Sequence, residues 1–221
     1  LTKGAFIDIN NYMFVEFEGV VIMILVGVTG PIASGKTTVC NIFREMGAIL
    51  IDADKIGHEV LEEPSIKVKM LDYFGEEVLG EDGKLNRSRV ADIVFSNDDA
   101  LLKLNEITHP ILVKRLIENI EEMRTSGFPG VAVVDAAMLP FWPEILKKLD
   151  YLVMVQSPKW QRANRLIQDR GMPQEHCEHR MEAQEAIFES VTPQIDYIIK
   201  NNGDLMEIRG KAVKVWLDIK S

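Results

Sequence analysis

Eight consecutive residues, Gly30-Pro31-Ile32-Ala33-Ser34-Gly35-Lys36-Thr37, follow the pattern G-x-x-x-x-G-K-[ST]. The chemistry served by that spacing is polyphosphate binding. Glycines let the backbone turn so that successive N–H groups face an anion, the lysine reaches the β and γ oxygens, and the hydroxyl can hold Mg²⁺. The flanks fit this use: the apolar run from Val20 to Val28 reads as a buried strand, and Thr38 to Met46 as a helix. Gly30, Ala33, Ser34, Gly35, Lys36, Thr37 and Thr38 are therefore the expected ATP contacts, with Thr37 a ligand of Mg²⁺. A glycine-containing turn without a ligand is the alternative, and the strand-loop-helix context argues against it.

Three acids stand where they could act with that loop. Gly47-Ala48-Ile49-Leu50-Ile51-Asp52-Ala53-Asp54 reads as a helix stop followed by a short apolar strand ending in two acids. Transfer of a phosphoryl group to an alcohol needs an acceptor for the hydroxyl proton and a means of alignment, and Asp54 is the residue expected to supply both. Its structural alternative is a helix N-cap. Asp52 reads as an orienting group or a ligand of Mg²⁺-bound water, with loop capping an equal alternative. Asp135 closes the apolar run Val131-Ala132-Val133-Val134 and could likewise hold a Mg²⁺-bound water; otherwise it is an acid at a strand end.

Positive charge is concentrated elsewhere. Between Lys159 and Arg180, five basic side chains (Lys159, Arg162, Arg165, Arg170, Arg180) face three acids, a local excess of two. Guanidinium groups suit phosphate oxygens, and Arg170-Gly171-Met172-Pro173 reads as the tip of a lid. Arg165, Arg170 and Arg180 are the stronger candidates; Lys159 and Arg162 read better as a solvated face with helix-surface ion pairs. His109-Pro110 interrupts an apolar helical stretch, where Pro110 at the first position of a new helix accounts for the pair structurally. His176 and His179 have no acid or thiol spacing beside them that defines a metal site.

The elements that position these residues follow a strand, loop, helix, strand order, which implies a parallel sheet with right-handed crossovers and ligands at the carboxyl ends of its strands. Residues 55–124 are helical in pattern, with breaks at Phe74-Gly75, Gly80-Glu81-Asp82-Gly83 and His109-Pro110, and read as an insertion on the sheet. Further strands are expected at Val131–Asp135, Tyr151–Val155 and Tyr197–Ile199, two helices over Trp160 to Glu189, and a last helix from Asp204 to Ile219. The expected architecture is α/β, a three-layer α/β/α P-loop kinase fold with about five parallel strands, a helical insertion over about 55–125 and a lid over about 160–190.

Composition narrows the setting. A chain of 221 residues, 47% hydrophobic and with a net charge of −9, suits a single core-forming domain and argues against nucleic acid as principal partner. Cys40 and Cys177 lack disulfide or metal spacing, as in a reduced cytoplasmic protein. The Val20 to Val28 run is too short to span a membrane, and Asp8, Glu16 and Glu18 before it do not form a basic leader. Residues 1–22 precede Met23, a second plausible start, and read as an extension without chemistry.

Taken together these residues resemble the dephospho-coenzyme A kinase family. The likeness runs from Leu25 to about Gly203: the phosphate loop, Ile51-Asp52-Ala53-Asp54, Phe74-Gly75, Asp82-Gly83-Lys84-Leu85-Asn86-Arg87, Val94-Phe95, Ile107-Thr108-His109-Pro110, Arg180-Met181-Glu182-Ala183-Gln184 and Ile199-Lys200-Asn201-Asn202-Gly203. The resemblance implies transfer of the ATP γ-phosphate to the 3′-hydroxyl of dephospho-coenzyme A, with Asp54 as base. It also implies an acceptor region in the insertion that includes Arg87 and His109 beside Asp54 and Asp135, and an adenine site near Asn201 and Gly203. Two departures bear on the acceptor: Gly57-His58 stands where the family usually has an arginine, and Ala136-Ala137-Met138-Leu139-Pro140-Phe141 replaces a common proline-leucine-leucine run. Alternatives are another nucleoside monophosphate or small-metabolite kinase, and a P-loop protein that binds nucleotide without transferring phosphate.

Overall fold

Five apolar segments form one sheet, in the order β2-β3-β1-β4-β5, and every neighbouring pair is parallel. The strands are β1 (Ile24–Thr29), β2 (Ile49–Asp52), β3 (Val131–Asp135), β4 (Tyr151–Gln156) and β5 (Tyr197–Lys200). The computed structural model describes residues 23–94, 97–169, 171–190 and 193–221. The proposed extension 1–22, Phe95 and Arg170 lie outside the described residues.

Alternation along the strands explains why both faces are covered by helices. Leu25, Ala132, Val134 and Leu152 point to one face, and Val26, Val28, Val131, Val133, Val153 and Val155 to the other. Side chains on a strand alternate between faces, so a continuously apolar strand must be buried twice. The second face is covered by α1 (Lys36–Glu45) and α9 (Leu205–Lys220), whose Phe43 and Trp216 rings lie 5.6 Å apart. The first face carries α2 (Ala53–Leu61), α3 (Pro64–Phe74), α4 (Arg87–Val94) and α5 (Asp98–Thr125), the helical stretch read in the sequence. The strand starts are held by acids: Asp150 accepts the Leu25 N–H and Asp196 the Leu152 N–H, each at 2.7 Å.

Two local expectations are corrected. Pro110 does not begin a helix; it lies inside the 28-residue α5. Proline removes one i→i−4 bond, yet Ile107 before it and Leu112, Leu116 and Ile120 after it are all buried, and that packing carries the helix past the break. Asp54 does not end a strand. β2 stops at Asp52, whose Oδ1 accepts the Lys55 N–H at 3.0 Å and caps α2, leaving Asp54 in the first helical turn.

After β4 the chain forms α7 (Lys159–Asn164), a π-helical turn (Arg165–Asp169) and α8 (Gln174–Ser190), the region read as a lid. A short helix α6 (Pro143–Leu146) precedes β4. No described helix is long and apolar enough to cross a membrane. Phe43 is wholly buried between the sheet and α9. Phe43→Ala should therefore lower unfolding free energy by about 3–5 kcal/mol, read as a lower urea midpoint at unchanged slope.

Candidate active site

The turn from β1 into α1 has the geometry of an anion cradle. Gly30 (φ 148°) passes against the Val155 carbonyl and Gly35 (φ 101°) against the Asn201 carboxamide, so a Cβ at either position would collide. Both φ values also lie where side chains are strained. Ala33 is the one described non-glycine residue with positive φ, 58°. The N-terminus of α1 has no side-chain cap and no acid in its first turn, so its backbone amides and the positive end of the helix dipole remain to serve an anion. Lys36 opens that helix, and Thr37 beside it is exposed. A cavity of about 290 Å³ is lined by Ala33 to Thr38 together with Arg165, Asp169, Asn201, Gly203, Asp204, Leu205 and Ile208. These residues fit a nucleoside triphosphate: amides and cations for the phosphates, and two aliphatic side chains for a base.

The outer side of the same loop is held by its carbonyls. Arg165 Nη1 donates to the Ala33 carbonyl at 2.9 Å and to Ser157 Oγ at 3.2 Å. Asn201, 7% exposed, donates from Nδ2 to the Ser34 carbonyl at 2.8 Å. The Ile32 N–H donates to Gln184 Oε1 on α8. Of these partners, Arg165 and Asn201 are among the expected site residues. Ser157 and Gln184 carried no signal of their own in the sequence, and Gln184 stood only within the family-like run at 180–184.

Strand register brings the acids together. Asp135 is the partner of Val28 on one side and of Asp52 on the other, which sets both carboxylates on the edge where β1 turns into the phosphate loop. Lys36 Nζ lies 3.9 Å from Asp135 Oδ1. Burial pushes the Asp135 carboxyl above its ordinary range; Lys36 and the Cys40 thiol pull it down, and Asp54 and Asp52 push it further up. Burial prevails over the ion pair because 3.9 Å is a loose contact and the lysine is itself partly solvated. Cys40, buried in α1 beneath the loop, hydrogen-bonds the same carboxylate, and burial raises its own pKa well above the usual thiol value. Asp54 is exposed on the first turn of α2, near enough for its charge to act on Asp135.

The remaining candidates lie farther from the loop or serve it differently. Arg87 opens α4 and pairs with Glu62 at 3.0 Å, both largely exposed. His109 lies midway along α5, edge-on to Trp142, whose Nε1–H points at His109 Nδ1 at 3.5 Å; burial lowers the imidazole pKa. These two rings, with Leu102, Val113, Ile117 and Phe141, line an open groove of about 880 Å³ between α5 and the segment after β3. Arg162 is not on a solvated face. It is 5% exposed and bonds Glu185 at 2.6 Å and the Ser157 carbonyl at 3.2 Å, because α7 packs under α8. Lys159 is solvated and pairs with Glu185 at 3.0 Å. Arg180 is partly buried, and the charge of Asp92 on α4 acts on it.

A parallel sheet in this order, a G-x-x-x-x-G-K-T loop cradled at its carboxyl edge, and helices folded over that edge define a P-loop kinase. A family model of dephospho-CoA kinases matches residues 24–207. A dephospho-CoA kinase of Dehalococcoides mccartyi is 37% identical over 73% of this chain and 81% of its own length, and one of Carboxydothermus hydrogenoformans is 34% identical over 86% and 92%. Among solved structures, the dephospho-CoA kinase of Campylobacter jejuni superposes with a TM-score of 0.58 at 26% identity, covering 89% of this chain and 97% of that one. The protein TT1252 of Thermus thermophilus reaches 0.67 at 27% identity over 90% and 98%. The chain belongs to the dephospho-CoA kinase family.

The raised carboxyl of Asp135 gives a signed expectation. A carboxyl whose folded pKa exceeds its unfolded value favours folding while protonated, and that advantage is lost as pH rises from the unfolded to the folded pKa. Asp135→Asn should therefore raise Tm at neutral pH, with the gain shrinking as pH falls through the raised folded pKa and gone below about pH 4, while turnover falls. His109 has the opposite sign, since its folded pKa is lowered. Its neutral form supports folding above the unfolded pKa, and that support declines as pH falls through about 6.5; His109→Asn should flatten this part of the Tm against pH curve.

Proposed function

We propose that the chain transfers the γ-phosphate of ATP to the 3′-hydroxyl of dephospho-coenzyme A, giving coenzyme A and ADP. The observation that carries this reading is the acid cluster in a chain of this family: Asp52 and Asp135 set by strand register, with Asp54 on the first turn of α2, beside Lys36 and the anion cradle.

The chain's own groups then divide the work. The amides of the loop and of the first turn of α1 hold the polyphosphate, and Lys36 bears on the β and γ oxygens as charge shifts during transfer. Asp54, exposed on α2 and not engaged as its cap, accepts the proton of the acceptor hydroxyl as that oxygen bonds to phosphorus and the bond to the ADP oxygen breaks. Mg²⁺ carried on the nucleotide fits the Thr37 hydroxyl and, through its water shell, Asp52 or Asp135, and would neutralise phosphate charge. Arg165 keeps the loop in shape through its carbonyls while lining the nucleotide cavity. Asn201 does the same on the side where Gly203, Leu205 and Ile208 would meet the adenine.

The helices from α2 to α5 form the acceptor side. The groove beside His109 and Trp142, of about 880 Å³ and lined by apolar side chains together with Glu106, Lys114, Glu118 and Glu144, would take the pantetheine arm of the acceptor, and Arg87, partly exposed beside Glu62, offers a cation for its phosphates. Residues of about 160–190 act as the lid. Net negative charge, two buried free thiols and a small acidic-edge site suit a cytoplasmic enzyme acting on a soluble metabolite rather than on nucleic acid.

ADP release with Mg²⁺-ATP should require dephospho-coenzyme A; equal release with adenosine monophosphate, or with no acceptor, would overturn the reading. Lys36→Ala should keep the fold and lose on the order of 10²-fold or more in turnover. Asp54→Asn should lower turnover by roughly 10² to 10⁴ with Tm and ATP affinity nearly unchanged, because the α2 cap belongs to Asp52. A loss of stability at a normal rate would assign Asp54 a structural role instead.

A further inference from the structure

The lid helix α8 touches the phosphate loop through two different kinds of contact. The Gln184 carboxamide oxygen accepts the Ile32 N–H at the tip of the loop. The side chains of Ile32 and Ala33 pack, together with Ala163 and Met172, against a small separate core made of Leu166, Cys177 and Met181, all three essentially without solvent exposure. The loop tip is thus part of the lid's own apolar cluster rather than of either sheet face. The next residue along α8, Glu185, is fixed in turn to α7 through Arg162 and Lys159. α7 returns to the loop through Arg165, which begins the π-helical turn at its end.

We infer that Gln184 is a positioning residue through which the lid sets the conformation of the phosphate loop. Ala33 has a left-handed backbone, which an alanine holds only when its surroundings fix it. Two constraints bracket that strained residue: the Gln184 bond at the amide of Ile32 immediately before it, and the Arg165 bond at its own carbonyl. Holding Ile32 and Ala33 in this way turns the amides that follow toward the cavity. Docking of α8 and ordering of the cradle are one event, so nucleotide affinity depends on a side chain that lines no part of the nucleotide cavity. The inference rests on the kinase reading for its kinetic consequence and on the contact alone for its structural one.

The test compares Gln184→Met, which keeps length and apolar bulk but removes the acceptor, with Gln184→Glu, which keeps an acceptor oxygen. Amide hydrogen exchange on the nucleotide-free protein should show Ile32 protected in the parent and exchanging about ten-fold faster or more in Q184M, the order expected for loss of one hydrogen bond. The β1 amides should not change, and Q184E should restore protection. In steady state Q184M should raise the KM for ATP and lower kcat, together by about ten-fold in kcat/KM, with the KM for the acceptor unchanged. Equal Ile32 exchange in parent and Q184M would overturn the inference, as would lost protection with unaltered kinetic constants. Should Q184M fail to fold, Gln184→Asn, which withdraws the acceptor by one methylene, takes its place in the same comparison. If the parent shows no acceptor-dependent turnover, the kinase reading falls and with it the kinetic consequence, while the exchange data still decide the contact.

Discussion

A phosphate cradle made of backbone amides places a constraint on everything around it. Amides that converge on an anion leave their peptide carbonyls turned toward the protein, and buried carbonyls require donors. Here the Ala33 carbonyl is met by Arg165 and the Ser34 carbonyl by Asn201, side chains more than 130 residues away in sequence. The chain therefore has to complete β4, α7 and β5 before the loop near its beginning can be held in a binding conformation. The glycines at 30 and 35 make the path possible, since Val155 and Asn201 approach too closely for any side chain, but the remote donors fix it. The phosphate loop is local in sequence and global in support.

Charge follows a related logic. An acidic protein binds a polyanion by gathering positive potential in one place, from the end of α1, Lys36 and Arg165. Beside that spot, Asp52 and Asp135 share one sheet edge and Asp54 stands on the first turn of α2, and burial together with their mutual repulsion raises Asp135 in spite of Lys36. Such an arrangement is unfavourable for the folded state taken alone and becomes useful when an anion and its cation occupy the edge. The site thus stores a modest instability in the same groups that hold and transfer phosphate, a common cost of pre-organisation.

Elements with strong local signatures were legible before any coordinate. The Val131–Asp135 strand has the bounds read from its apolar run, because four consecutive β-branched or small apolar residues ending in an acid suit only a strand buried on both faces. The loop pattern located Lys36 and Thr37 for the same reason: spacing along one continuous turn is a property of the chain itself. Legibility failed where long-range packing competed with a local preference. Pro110 is a good helix start in isolation, yet α5 runs through it because buried side chains anchor the helix on both sides of it. Arg162 looked like a surface cation, yet it is buried because Glu185 comes from another helix to neutralise it.

What the sequence determined by itself, then, is the chemistry on offer: a phosphate loop between a strand and a helix, acids that follow apolar runs, and arginines gathered in one late segment. Those depend on neighbours within a few residues and survive translation into one dimension. The tertiary structure alone decided which acid caps α2 and which remains exposed to an acceptor, that Asp52 and Asp135 share a register, and that Arg165, Asn201 and Gln184 converge on one loop. The cap is a contact between residues three apart, but the shared register and the convergence on the loop are relations between segments about 80 to 170 residues apart, fixed by sheet order and helix packing, and no local pattern encodes the distance between them.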